Sequence, residues 1–335
     1  EVVVKHWDEA LEIAKQINDK QAQMDCLSNL GTLYTTTDFE KANKLLLEVL
    51  KISKSIDDIN TIGRTYDKLA RLHRSKHIPK NSLRLMLKEQ EHNLIKAIEY
   101  FKKAKEYNQG KDYVSTMQSI GYTYNNFSNQ LKSENYYNKA LEAANKINYS
   151  QGIYFAIGGL AEINFSKGNF NKALKQYKSQ YLTSKQLNDK LSMVFQLEDI
   201  GKTYYALKDY GNALKYLNES MVLKSTIDTK ESIYNIGNDI YYYAVLQTQG
   251  NKINKGHIKD MYKKHLKENK IENKDFVFPL YNYLMYKLLG ESDYLESAQN
   301  HITEVSKLLD NKEKNNYSNL YFNKMISNEY NKVFK

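Results

Sequence analysis

Cysteine occurs once in the 335 residues, at Cys26, so no disulfide can form within the chain. That fits a reducing compartment and many periplasmic proteins alike. Proline occurs twice and glycine 14 times, which leaves long stretches dominated by Leu, Lys, Ala, Glu and Asn. Such a composition describes a helical chain and gives no sign of β structure. No window approaches the roughly 18 to 20 uninterrupted apolar residues that a membrane-spanning helix needs, and no signal-peptide pattern opens the sequence. These absences lead to the expectation of a cytoplasmic protein, with a periplasmic sensor domain as the alternative. Disorder is excluded by what is present: 41% apolar residues, 12% aromatic and 29 Tyr carry too much apolar surface for an unfolded chain. The formal net charge is +10, and residues 64–111 concentrate it, with thirteen Lys or Arg against five Asp or Glu.

A short polar turn recurs at Asn18-Asp19, Asp57-Asp58, Asn148-Tyr149, Asn188-Asp189 and Asp228-Thr229, each preceded by Ile or Leu. The spacings are 39, 91, 40 and 40 residues. A second break falls between these turns at Thr37-Asp38-Phe39, Gly168-Asn169-Phe170 and Lys208-Asp209-Tyr210. Each unit is therefore two helices. The first helix carries an aliphatic residue, a small residue and an aromatic one turn later: Leu30-Gly31 with Tyr34, Ile120-Gly121 with Tyr124, Ile200-Gly201 with Tyr204. The small residue predicts a close approach by the partner helix, and the aromatic fills space between units. In the second helix small and large residues alternate at helical spacing, as in Ala97, Phe101, Ala104 and in Ala213, Leu217, Ser220.

These residues resemble the tetratricopeptide repeat over nearly the whole chain. The resemblance implies an all-α fold, a right-handed superhelical α-solenoid of helix-turn-helix repeats in one domain. The period sets a half-repeat at 1–18, repeats near 20–57, 60–109, 111–148, 150–188, 190–228, 231–269 and 276–310, and a closing helix at 315–333. Because segment 7–18 reads as a second helix without its first, sequence upstream of Glu1 is expected. Two departures from the family pattern stand out. The period is near 40 where the usual repeat has about 34 residues, and the customary proline closing the second helix is missing. In addition, Ala70 to Ala97 spans 27 residues where Gly201 to Ala213 spans 12, which places a basic insertion at 75–91. This insertion predicts a loop around Pro79 and an extension of the next helix capped by Asn81 or Ser82. Long repeats of this kind resemble bacterial peptide-sensing regulators, sensor modules of histidine kinases and eukaryotic adaptors.

In that family the first helices line a concave groove, with ligand contacts just before and just after the aliphatic-small pair. The resemblance implies a peptide- or protein-binding groove lined by Asn29, Lys68, Arg71, Gln118, Tyr122, Asn125, Glu162, Glu198, Asp199, Tyr205, Asn235, Asn238 and Tyr242. Asn and Gln can satisfy both the N–H and the C=O of an extended peptide, and Tyr adds amphipathic surface at small entropic cost. Lys68, Arg71 and Arg74 make the early groove basic; Glu162, Glu198, Asp199 and Asp239 make the later groove acidic. A clamp on a C-terminal carboxylate would use the basic cluster with Asn29.

No nucleophile, paired-carboxylate or cofactor motif stands out, so the sequence predicts neither an enzyme nor a cofactor. His73 and His77 share a helical face, but nothing nearby completes a metal site, and Gly158-Gly159 lacks the lysine and strand of a phosphate loop. The reading is a non-enzymatic scaffold or sensor within a larger bacterial regulatory protein, its partners being a peptide, a protein segment or its own flanking effector domain. Alternatives are RNA binding in a basic groove, which the acidic later repeats disfavour, and docking of the basic insertion on an acidic partner.

Overall fold

At the polar turns the backbone does what their chemistry dictates. Asn18, Asp57, Asn148 and Asn188 adopt φ of 51–53°, the left-handed conformation that Asn and Asp tolerate better than other non-glycine residues. The next amide then reaches back to close the preceding helix: Asp19 N–H to Ala14 O, Asp58 N–H to Ser53 O and Asp189 N–H to Ser184 O, each at 2.9 Å. The same aspartates open the following helix, each carboxylate accepting the amide three residues on, from Ala22, Thr61 and Ser192. Hydrogen bonds from Thr61 hold the Asp58 carboxyl below its ordinary pKa. A two-residue turn thus both ends one helix and caps the next, which is why the repeats can follow one another with so little loop.

The computed structural model describes residues 2–76, 83–126, 129–227, 236–268 and 279–335. Among these all regular structure is helical. The helices are α1 (Val2–Gln16), α2 (Lys20–Tyr34), α3 (Phe39–Ser55), α4 (Ile59–Arg74), α5 (Leu83–Tyr107), α6 (Gly110–Asn126), α7 (Gln130–Lys146), α8 (Ser150–Ser166) and α9 (Phe170–Gln186). They continue with α10 (Lys190–Ala206), α11 (Tyr210–Ser225), α12 (Ile236–Thr248), α13 (Lys255–Glu268), α14 (Pro279–Leu289), α15 (Ser292–Ser306), α16 (Asn311–Ser318) and α17 (Tyr321–Phe334). The helix after the insertion, α5, is 25 residues long and begins at Leu83; Pro79, Asn81 and Ser82 lie outside the described residues. So do His77 and the turn at Asp228-Thr229.

Two compact units are present, the first formed by residues up to Ile153 and the second from Tyr154 onward, with 83–87 and 129–130 belonging to the second. In the first unit α2 packs on α3, α3 on α4, and α4 also reaches α6. In the second, α10 packs on both α9 and α11, and α12 reaches α10 and α14. Each unit is thus two layers: first helices side by side in one, second helices in the other.

The small-large alternation explains the packing between layers. A Cβ on Gly31 would lie 3.2 Å from the Leu46 side chain, and one on Gly201 would lie 2.7 Å from Leu217 Cγ. Leu46 and Leu217 are 1% and 0% exposed, and each contributes about 1.5–3 kcal/mol by leaving water. Where the sequence predicted one closing helix over 315–333, two helices meet at Asn319-Leu320. Asn319 donates its side-chain amide to Asn315 O at 2.9 Å, and Asn323 donates to Tyr317 O at 2.9 Å. The Asn323 amide thus takes the Tyr317 carbonyl, which in a continuous helix would receive the Tyr321 amide, and the helix breaks there.

Candidate ligand-binding face

The first helices of the two units share one register. Reckoned from the aliphatic-small pair, residues nine and five positions before the aliphatic residue, and two positions before and after it, fall on the face turned away from the second helices. In α2 these are Gln21, Asp25, Ser28 and Thr32; in α4, Asn60, Arg64, Asp67 and Arg71; in α6, Lys111, Ser115, Gln118 and Tyr122. In α8 they are Gln151, Phe155, Gly158 and Glu162, and in α10 Leu191, Phe195, Glu198 and Lys202.

In the first unit this face is stitched by polar side chains running between neighbouring helices. Lys68 donates to the Ser28 hydroxyl, Arg64 pairs with Asp112 at 3.0 Å, and Arg71 bonds Asp67 at 2.5 Å and the Ser115 hydroxyl at 3.0 Å. Gln118 donates to Gly152 O at 2.6 Å. Arg74 lies over the Tyr122 ring at 4.9 Å, and that ring is 46% exposed. Burial lowers the pKa of both Lys68 and Arg74, and Lys68 is held up in part by Asp25. Asn29 is exposed and its amide turns back to Asp25 O at 2.9 Å; Lys68 therefore meets Ser28 and not Asn29. Asn125 is half-buried at the far end of α6.

In the second unit the predicted residues divide. Glu162 is exposed on α8. Glu198 is not: its side chain is 1% exposed, because Lys202, one turn on, draws both acidic neighbours inward, to Glu198 at 3.7 Å and Asp199 at 3.4 Å. The Lys202 ammonium is 13% exposed; burial opposes its charge, and Tyr281, Asp199 and Glu198 outweigh that opposition and raise its pKa. Burial raises the pKa of Asp199, whose side chain is 39% exposed. Tyr205 is half-buried against Tyr210 and Tyr241, ring centroids at 5.8 and 5.4 Å, and burial pushes its hydroxyl up to about 12. Tyr241 is 2% exposed while Tyr242 and Tyr243 are half-buried and meet edge to face at 5.6 Å. Asn235 and the side chain of Asn238 lie outside the described residues.

Sequence reasoning missed the column five positions before the aliphatic residue: Asp25, Arg64, Ser115, Phe155 and Phe195. The signal was available, since two phenylalanines occupy a register where the earlier repeats carry polar groups. It also missed the role of Gly158, where a Cβ would lie 2.5 Å from Gln180 Nε2. The glycine lets Gln180 pass to bond Tyr154 O at 3.0 Å. His73 is packed between Phe39 and Tyr100 at 5.1 and 5.4 Å, and burial first, then Lys96, Lys76 and His92, push it down to about 4. Among the described residues no group of three or more His, Cys, Asp and Glu stands where it could hold a metal, and no helix is long and apolar enough to cross a membrane.

No protein-family model matches the chain, and no curated protein matches it by sequence. Solved structures do. The apo form of RapI matches with a TM-score of 0.62 at 12% identity, over 85% of this chain and 99% of that one. BtubC (BKLC) from P. vanneervenii gives 0.57 at 16% identity, over 69% and 93%. The signal transduction ATPase with numerous domains (STAND) from Pyrococcus horikoshii, which carries a tetratricopeptide repeat sensor, gives 0.55 at 19% identity over 78% of this chain. Only 38% of the length of that STAND chain is covered. At such identities the likeness is one of fold, and the fold is an all-helical solenoid of tetratricopeptide type.

Proposed function

We propose that this chain is a non-enzymatic module that binds a peptide or protein segment on the free face of its first helices, as the sensor or scaffold part of a longer regulatory protein. The observation that carries the reading is the repeated register of these columns. Within each unit the first helices share these register positions, and their exposed members are suited to peptide contact: the amphipathic ring of Tyr122 in the first unit, the carboxylate of Glu162 and the phenyl ring of Phe155 in the second. Glu198 and Lys202 are drawn out of this face and interhelical bonds engage Lys68, Arg71 and Gln118, so Tyr122, Phe155 and Glu162 are the side chains assigned to recognition. The tetratricopeptide repeat sensor of the STAND protein is one module of a chain more than twice the matched length, which is the arrangement proposed here.

Selection from a random peptide library displayed on phage, followed by isothermal titration of an enriched peptide, tests the proposal. The expected result is a saturable one-to-one complex weakened about tenfold by Tyr122→Ala or Asn125→Ala in the first unit, or by Phe155→Ser in the second. No enrichment, or an affinity indifferent to all three variants, sinks the assignment.

A further inference from the structure

The column that reads Asp25, Arg64 and Ser115 in the first unit changes character in the second, where Phe155 and Phe195 occupy it with 53% and 39% of their surfaces exposed. Their immediate neighbours show that the two rings stand at one level. Gln196 donates to the Tyr154 hydroxyl at 2.6 Å, and the Ser184 hydroxyl lies 3.1 Å from that same oxygen and 3.0 Å from Gln196 Oε1. This network clamps α8, α9 and α10 at the turn carrying residues 154–155 and 195–196. Phe155, edge to face with Tyr154 at 5.3 Å, and Phe195 therefore occupy equivalent positions at that level of α8 and α10. Three residues after Phe155 the face holds Gly158, so no side chain of α8 stands over the ring from that position.

The charged side chains that follow these rings along their own helices are acidic, Glu162 on α8 and Asp199 on α10. Lys202 is withdrawn to 13% exposure between Glu198 and Asp199, while Glu162 is exposed and the Asp199 side chain is 39% exposed. Asp199 is one turn from Phe195 and Glu162 two turns from Phe155, which is about 6 and 10 Å along a helix. An extended peptide advances about 3.3 Å per residue, so the same spans correspond to about two or three of its residues.

We infer that Phe155 and Phe195 form a two-ring platform for a bulky apolar side chain of an extended peptide, with Glu162 and Asp199 receiving a Lys or Arg two or three residues away in that peptide. The inference rests on the peptide-binding role proposed above and names the chemistry of the ligand. Exposed rings gain from an apolar or aromatic partner by leaving water, and carboxylates gain charge-assisted hydrogen bonds from a Lys or Arg.

The random phage-displayed library is the probe, selected in parallel on the wild type, on Phe155→Ser/Phe195→Ser and on Glu162→Gln/Asp199→Asn, with circular dichroism confirming helicity. Phe155→Ser alone serves if the double variant loses structure. The expected outcome on the wild type is enrichment of a bulky apolar residue two or three positions from Lys or Arg. The phenylalanine variant weakens those peptides about tenfold or more, and the amide variant keeps the apolar preference while losing the basic one. Enriched peptides that lack the pattern, or that ignore the phenylalanine variant, overturn this inference and leave the peptide-binding role standing. No enrichment on the wild type overturns both. A wild-type dimer in sedimentation that Phe155→Ser/Phe195→Ser abolishes also overturns it, because a second copy would then cover the rings.

Discussion

Replacing Gly201 by Ala sets two effects of known sign against each other. In a helix interior Ala is favoured over Gly by about 1 kcal/mol, so the substitution alone should stabilise α10. The structure says otherwise. The new methyl would sit 2.7 Å from Leu217 Cγ, 2.8 Å from its Cδ2 and 3.3 Å from its backbone nitrogen, and Leu217 is 0% exposed with no room to swing away. Overpacking of this kind costs about 1–3 kcal/mol, so the net expectation is a loss of up to about 2 kcal/mol. Gly211 supplies the control, since a Cβ there meets nothing nearer than Asp209 Oδ1 at 3.9 Å; Gly211→Ala should be neutral or stabilising by a few tenths of a kcal/mol. Leu217→Ala supplies the cycle. It costs about 2–5 kcal/mol by itself, but in that background the Cγ and Cδ2 contacts are gone, only the 3.3 Å approach to the backbone nitrogen remains, and Gly201→Ala should be neutral or stabilise by up to about 1 kcal/mol. Urea denaturation followed by circular dichroism reads the wild type and all four variants. If Gly201→Ala raises the midpoint while Leu217 is intact, close approach of the two helices is not what selects glycine there.

Other consequences follow from buried charge and from the turns. His73, pushed down to about 4, binds its proton in the unfolded chain near pH 6.5 and in the folded protein only near pH 4. Its contribution is therefore intact above pH 6.5 and falls as pH drops through this window, by about 1–2 kcal/mol after allowance for solvent screening; His73→Phe should flatten that part of a stability-pH profile. Lys202→Met leaves Glu198 and Asp199 without their shared cation and should cost about 2–4 kcal/mol at neutral pH. Because burial already raises the Asp199 carboxyl, the deficit relative to wild type should shrink on acidification, and a constant deficit between pH 7 and 5 would contradict the pairing. Asp58→Ala removes the cap on Thr61 N–H and should cost about 1 kcal/mol in thermal unfolding. Gly168→Ala forces a side chain onto a residue at φ +82° and to 3.0 Å from Tyr321; a loss of about 1–3 kcal/mol is expected, and thermal unfolding of the purified variant decides it.

The parts of this molecule that were legible in its sequence are those governed by local rules. Asn18 and Asn188 announce a left-handed turn, and the aspartates after them a cap, because backbone sterics and one hydrogen bond determine both. Glu198 was misplaced because nothing within its own repeat says it is buried: the Lys202 pair is local, but Tyr281, which acts on that lysine, comes from a helix some 80 residues away. Gln118 shares the register of Glu198, yet its amide is engaged by Gly152 O of the next first helix, α8, a contact that follows from helix stacking and not from any motif. Phe155 and Phe195 escaped for a different reason. The repeat motif is defined by residues that pack the two layers, and the register of the free face becomes visible only when the repeats are laid over one another at the 40-residue spacing. Once that is done, the column of Asp25, Arg64, Ser115, Phe155 and Phe195 separates from the aliphatic-small column beside it. The core column varies little within this one chain because a layer must meet it, whereas the free column ranges from acid to base to phenyl. Phe155 and Phe195, exposed in a column that the contact between layers does not use, are therefore where we place the ligand preference.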